Sequence, residues 1–398
     1  MSEIRRRWRA ALTERLASAG AQGVRRSSRS SDRSGCIDLA SNDYLRLRHH
    51  QAMAQAVRDA AERDGTGSGA SRLAGGSTAL HEAVEARLAS FKRAETATLL
   101  PTGYMANLAV LTAFPGAGDL ILLDRRSHAS LIDAVMLAGA RSRLSAPAHR
   151  TFRHNDVESA HAAARKHRAR APDATIWIVV ESVYSMDGDV APIAALAALR
   201  DALASESAGG ACLLIDEAHA TGVLGPSGAG LAAAHPGACD IAISTASKAL
   251  GAQGGFVTGP LIVKEILNNF ARQHIYTTAI APPIAAAVAA AVDIIEREPD
   301  RRVRLSSVSM RVRSALRDKG WVIPAHDEAP TPIIPLIAGE NDAAVTLSRR
   351  LRDAGVVAPA IRPPSTPVGM ARVRLSLHCE LSDDDVSRIV EAVGSPSP

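Results

Sequence analysis

Aromatic side chains are scarce in this 398-residue chain, 3% against 46% hydrophobic residues in all. The core must therefore be aliphatic and rich in alanine, and no row of rings is available to stack nucleic-acid bases. Cysteine is equally thin: Cys36, Cys212, Cys239 and Cys379 stand far apart, with no C-x-x-C pair and no histidine cluster at metal spacing. Neither a disulfide framework nor a metal site is indicated, and reduced thiols in the cytoplasm are expected. No apolar run reaches the roughly 20 residues that cross a bilayer. The arginine-rich start, RRRWRAALTERLASAG, has no apolar signal-peptide core, so no membrane partner and a cytoplasmic location are expected. A large excess of one charge is also missing: 46 Lys+Arg face 41 Asp+Glu, a net of +5. So small a surplus leaves no nucleic-acid footprint and is as well explained by an acidic small molecule.

What is present is enough chain for one large domain and a smaller companion. Ile4, Trp8, Leu12 and Leu16 recur at steps of four and mark a docking helix, followed by a Ser/Arg-rich loop, RRSSRSSDRSG. Leu80, Val84, Leu88 and Phe91 mark another helix, with Ser77 and Thr78 as caps. Then short apolar runs alternate with helical stretches: LILLD (120–124), TIWIVVES (175–182), CLLIDE (212–217) and IAIST (241–245). Continuous apolar strands between helices predict an α/β fold with a large, mainly parallel sheet covered on both faces. Ligands of such sheets sit beyond the carboxyl ends of the strands, where Asp124, Glu181, Asp216 and Thr245 gather. A helical stretch over 284–316 then leads to a small α/β module with strands at 332–338 and 372–377 and helices near 344–354 and 383–393. The expected division is an N-terminal helix and connector (1–40), a large cofactor-binding domain (41–284) and a small C-terminal domain (285–398).

The sharpest constellation is CLLIDEAH followed, some thirty residues on, by IAISTASKALG. Pyridoxal 5'-phosphate (PLP) chemistry needs a lysine to form an imine and a carboxylate to keep the pyridine nitrogen protonated, and Lys248 and Asp216 suit those roles. Taken alone, the two residues are equally a surface lysine and a capping aspartate. His219 and His128 each fall just beyond a strand end, one placed to hydrogen-bond a ring hydroxyl and the other to stack on a ring; singly, each reads better as an ordinary loop histidine. GTGSGASRLAGG (65–76) is no dinucleotide fingerprint, because no strand precedes it and Ala70 takes the third glycine place. A phosphate fits better at Thr102-Gly103-Tyr104, where a turn opens the helix YMANLAVLTAF, with Thr245 and Ser247 nearby. In RVRLSL, Arg372 and Arg374 share a face, and either fork suits a carboxylate.

From about residue 20 to 390 the chain resembles the α-oxoamine synthases, fold-type I PLP enzymes. The resemblance is carried by SNDYL (41–45), GTGSGASR (65–72), DRRSHASL (124–131), HND (154–156), ESVYSMDGD (181–189), IDEAHATGVLG (215–225), SKALG (247–251), YTTA (276–279) and IRPP (361–364). It implies Lys248 as the imine lysine, Asp216 on the pyridinium, Ser185 and His219 at the ring hydroxyl, and His128 stacked on the ring. It further implies Gly103, Tyr104 and Thr245 at the phosphate, joined by Thr277 and Thr278 of a second subunit, hence a homodimer with shared active sites. Arg374, rather than Arg372, would hold the amino-acid carboxylate with Asn42, while Arg25, Arg362 and Ser365 align with acyl-substrate positions. The implied reaction condenses an amino acid with an acyl thioester and releases carbon dioxide. IRPPSTP together with RVRLSL favours L-alanine and a pimeloyl group, carried on coenzyme A or on an acyl carrier protein. The pattern is broken at Arg46, where glycine is usual, at Ser365-Thr366 in place of Thr-Val, and at Ala281 in place of proline.

Overall fold

The four aliphatic runs become neighbouring strands of one sheet. A computed structural model describes residues 3–21, 25, 35–140, 146–324 and 330–396. In chain order the strands are β1 (Ile37–Asp38), β2 (Thr96–Leu100), β3 (Leu120–Asp124), β4 (Ala148–Phe152), β5 (Ile176–Glu181), β6 (Ala211–Asp216), β7 (Ile241–Thr245), β8 (Gly255–Gly259), β9 (Ile333–Gly339), β10 (Val356–Val357), β11 (Ala360–Ile361) and β12 (Ala371–Ser376). The central sheet runs β2-β8-β7-β6-β5-β3-β4. It is parallel except at β8, which is antiparallel to both β2 and β7.

Every residue of β2, β3 and β7 is buried, as unbroken apolar strands require when both faces are covered. One face packs on the helices Gly103–Ala113 and Ala129–Ala140, the other on Val157–Arg168 and Ile193–Ser205. From β3 the chain moves outward to β4 and then returns past it to β5, so the sheet reverses its winding between β3 and β5. A crevice opens at such a reversal. Asp124, Glu181, Asp216 and Thr245 are the last residues of β3, β5, β6 and β7, and all four point their chemistry to that edge.

Three strands of the central sheet escaped the sequence reading, as did the two-residue strands β1, β10 and β11. β4 is a polar edge strand, AHRTF, and β8 contains two glycines, so neither carries the apolar signature; β2, TATLL, lies directly after a helix. The helical stretch at 284–316 also needs correction. It is two helices, Pro282–Arg297 and Asp300–Asp318, broken at Glu298-Pro299 because proline bars a continuous ladder. The second helix packs, with Asn341–Asp353 and Asp383–Val393, around the sheet β11-β12-β9. The N-terminal helix, Glu3–Ala21, leaves Trp8, Leu12 and Leu16 about half exposed, so its apolar stripe docks on nothing within the described residues. Among those residues no helix is long and apolar enough to cross a membrane, and all four cysteines are free.

Candidate active site

A cleft of about 280 Å³ opens at the sheet edge, and Lys248, Asp216, His128, His219, Gly103, Tyr104 and Thr245 all line it. Seven of the residues singled out from the sequence, drawn from four separate segments, therefore converge. At one end Thr102 caps the helix Gly103–Ala113, its side chain accepting from the Met105 amide at 3.1 Å. The first amides of that helix have no partner within it and face the cleft as an anion site. Glycine is required there: a Cβ on Gly103 would lie 2.9 Å from the Thr245 Cβ. Thr245 Oγ1 stands 2.8 Å from Ser247 Oγ, and the Tyr104 hydroxyl donates to Asp133.

At the other end Asp216 is buried and takes hydrogen bonds from Asn107 Nδ2 (2.8 Å) and the Ala218 amide (2.9 Å). Among the described residues no cation lies within ion-pairing reach of it. A buried carboxylate demands a positive partner, and a protonated pyridine nitrogen meets that demand; the residues present fit the cofactor. Lys248 is half-buried on the same cleft, and loss of hydration pulls its amine down to about 8, against the opposing pull of Asp216 and Glu181. His219 is buried, its pKa held well below the usual value by desolvation and by the charges of Lys248 and Arg374; it is neutral. The His128 amide donates to Glu181, and its Nδ1 lies 2.7 Å from Ser130 Oγ.

Two residues of the site, Tyr44 and Asn107, were given no role by the sequence, and Glu181 only a place at a strand end. Tyr44 places its hydroxyl 2.7 Å from His219 Nδ1, holding that ring. Asn107 orients Asp216 from the buried side of a helix. Glu181 lies in register with Asp216 on the neighbouring strand, and burial next to that carboxylate raises it to about 8. Only the helical and strand periodicity of their own segments marks Asn107 and Glu181, and that periodicity speaks of packing.

Arg374 and Arg372, left equivalent by alternation, are separated by their partners. Arg372 is paired with Asp187 and also donates to the carbonyls of Met186 and Met370. Arg374 donates to the Ser185 carbonyl (3.2 Å) and to Asn42 Oδ1 (3.1 Å), with no carboxylate against it. Its fork is therefore the one available to a carboxylate, with Asn42 already in place. Through Asn42, Tyr44 and His219 it joins one hydrogen-bonded chain to the cleft.

Other expected residues lie elsewhere. Ser185 is off the cleft wall, tied to it by its carbonyl. Thr278 pairs with Ser71 of the glycine-rich loop, and the Ala279 amide reaches the Ala70 carbonyl (3.0 Å); neither segment is on the wall of this chain's own cleft, and Thr277 is half-buried beside them. Arg25 is exposed, its described bond being its backbone amide to the Ala19 carbonyl (3.1 Å), and the connecting segment 26–34 lies outside the described residues. Arg362 follows β11, and Ser365 lines a second cavity beside the cleft.

Comparison with known proteins follows the same lines. The family described as aminotransferase class I and II matches residues 34–393. The 8-amino-7-oxononanoate synthase of Halorhodospira halophila is 40% identical over 380 residues, 94% of this chain and 88% of the relative. A serine palmitoyltransferase of S. paucimobilis with bound PLP superposes with a TM-score of 0.84 at 26% identity, over 96% of each chain. The 8-amino-7-oxononanoate synthase from Francisella tularensis does so with a TM-score of 0.73 at 25% identity, over 90% of this chain and 97% of that one.

Proposed function

Because the chain belongs to the class I and II aminotransferase family, and within it to the 8-amino-7-oxononanoate synthases of biotin synthesis, its cofactor is PLP, and we propose that it joins L-alanine to a pimeloyl thioester. The products are 8-amino-7-oxononanoate, carbon dioxide and the free thiol of coenzyme A or an acyl carrier protein.

When bound, PLP supplies an electron sink for the pair left on the alanine Cα. The protein's own groups do the rest. Asp216 would hold the protonated ring nitrogen, neutral His219 would meet the ring hydroxyl, with Ser185 from beside the cleft, and His128 would cover the ring face. Gly103, Tyr104 and Thr245 would take the phosphate at the helix N-terminus. Arg374 and Asn42 grip the alanine carboxylate, which fixes the Cα bond that breaks. The Lys248 amine, near 8, is a free base in a useful fraction at neutral pH and takes the Cα proton. We take residues 41–284 as the large domain and 285–398 as the small one, and we place the enzyme in the cytoplasm as a homodimer in which Thr277 and Thr278 serve the partner's phosphate.

The observation that carries the reading is the pairing, on one cleft, of a buried Asp216 with a desolvated Lys248, and beside it Arg374, neither Asp216 nor Arg374 having an ion-pair partner among the described residues. Purified holoenzyme assayed with thioester and amino-acid pairs tests it. Pimeloyl-CoA with alanine should give the highest kcat/KM. Higher values for acetyl-CoA with glycine, or for palmitoyl-CoA with serine, would overturn the substrate assignment.

A further inference from the structure

A second cavity, about 470 Å³, adjoins the cleft and falls within the size range of small-molecule sites. It begins where the cleft ends: Ser127 lines it while the next residue, His128, lines the cleft, and Arg372 lines it two residues before Arg374. Its walls come from the turn after β3, the hairpin after β5 and the 364–370 loop of the C-terminal segment.

The polar inventory of this cavity is unbalanced. Arg125, Arg126 and Arg372 line it against the single carboxylate of Asp187. Asp187 is saturated, one oxygen accepting from Arg126 Nη1 at 2.8 Å and the other from Arg372. Arg125 has no acid within ion-pairing reach among the described residues, and Arg126 is half exposed and uses one nitrogen only. Three hydroxyls on the wall, Ser127 Oγ, Thr366 Oγ1 and Tyr184 Oη, belong to residues only 7%, 5% and 1% exposed and have no hydrogen-bond partner among the described residues. Buried hydroxyls without partners are costly unless something supplies them. Ile132, Met186 and Met370 provide apolar surface between these groups.

We propose that this cavity holds the far end of the acyl donor, an aliphatic chain terminating in a carboxylate, gripped by Arg125 and Arg126 and hydrogen-bonded by Ser127 and Thr366. Both hydroxyls donate, as a carboxylate requires, and the apolar side chains cover the methylenes. The inference rests on the donor reading above and sharpens it, because a wholly apolar acyl chain would leave two guanidiniums and these hydroxyls unmatched. It gives chain-end recognition to Arg125 and Arg126, beside the acyl-substrate positions with which Arg25, Arg362 and Ser365 align.

Calorimetric binding of pimeloyl-CoA and heptanoyl-CoA, which differ only in the terminal carboxylate, tests the proposal on the holoenzyme without turnover. The wild type should bind the diacid thioester at least ~10-fold more tightly, the range of a charge-assisted hydrogen bond. R125Q/R126Q, which leaves Asp187 paired with Arg372, should level the two affinities. Equal affinities in the wild type, or a difference that survives in the variant, would overturn the proposal. So would an equal weakening of both thioesters, which would place the arginines on the coenzyme instead. Absence of turnover with alanine would sink the donor reading, yet this binding comparison would still decide the cavity.

Discussion

Arg46 occupies a left-handed backbone position, φ +58°, directly after SNDYL. The family resemblance implies glycine there, and the torsion offers a reason: without a Cβ the conformation is free, whereas a side chain adds on the order of 1 kcal/mol. Arg46 recovers part of that through Glu380, whose Oε2 accepts from its Nε at 3.2 Å, but the pair is partly exposed and contributes little. R46A and R46G both delete the ion pair and differ only in backbone freedom. R46G should be the more stable by about 1 kcal/mol in urea unfolding; equal stability would show that the position carries no strain. At this scale the sequence was most informative where chemistry names a residue type. Lys248, Asp216, His219 and His128 follow from what an imine, a pyridinium and a ring need. Tyr44, Asn107 and Glu181 do not, because each acts on another side chain across the fold and nothing in its neighbours in sequence records that contact.

Elements come together at the sheet edge through His154, which ties the end of β3 to the hairpin after β5. Its Nδ1 lies 2.9 Å from Asp124, its Nε2 contacts Asp189, and the Asn155 amide donates to Asp124 at 2.8 Å. Burial opposes its charge, but the two carboxylates win and raise it to about 9. Since the unfolded value is about 6.5, the charged imidazole stabilises the fold fully below that pH, and its contribution is lost as pH rises through about 9. The urea midpoint of the wild type should therefore exceed that of H154N by a margin that shrinks between pH 6.5 and 9. A margin independent of pH would remove His154 from the ion-pair network. The central strands were legible as elements because burial on both faces leaves a continuous aliphatic run. β4 and β8 were not, since an edge strand is polar and a strand pressed against the Gly103 turn must itself be small: a Cβ on Gly255 would lie 2.5 Å from the Gly103 amide nitrogen.

For the whole molecule, the shared-site proposal rests on Thr277 and Thr278 lying beside the glycine-rich loop and off the wall of their own cleft. Mixing K248A with T277A/T278A, each inactive alone, should restore up to about a quarter of wild-type activity, since half of randomly reassorted dimers are mixed and each has one intact site. No recovery in verified mixed dimers would contradict the sharing. The arrangement of seven strands could not be read from the runs themselves, because periodicity reports burial and leaves strand order open; resemblance over the length of the chain supplied the fold-type I expectation. Everything said of the cleft depends on Lys248 carrying the cofactor. The most direct measurement is borohydride reduction of the holoenzyme followed by peptide mapping. The cofactor should be fixed on the Lys248 peptide alone, with the label lost in K248A, whereas label on Lys92, Lys264 or any other lysine would contradict the account.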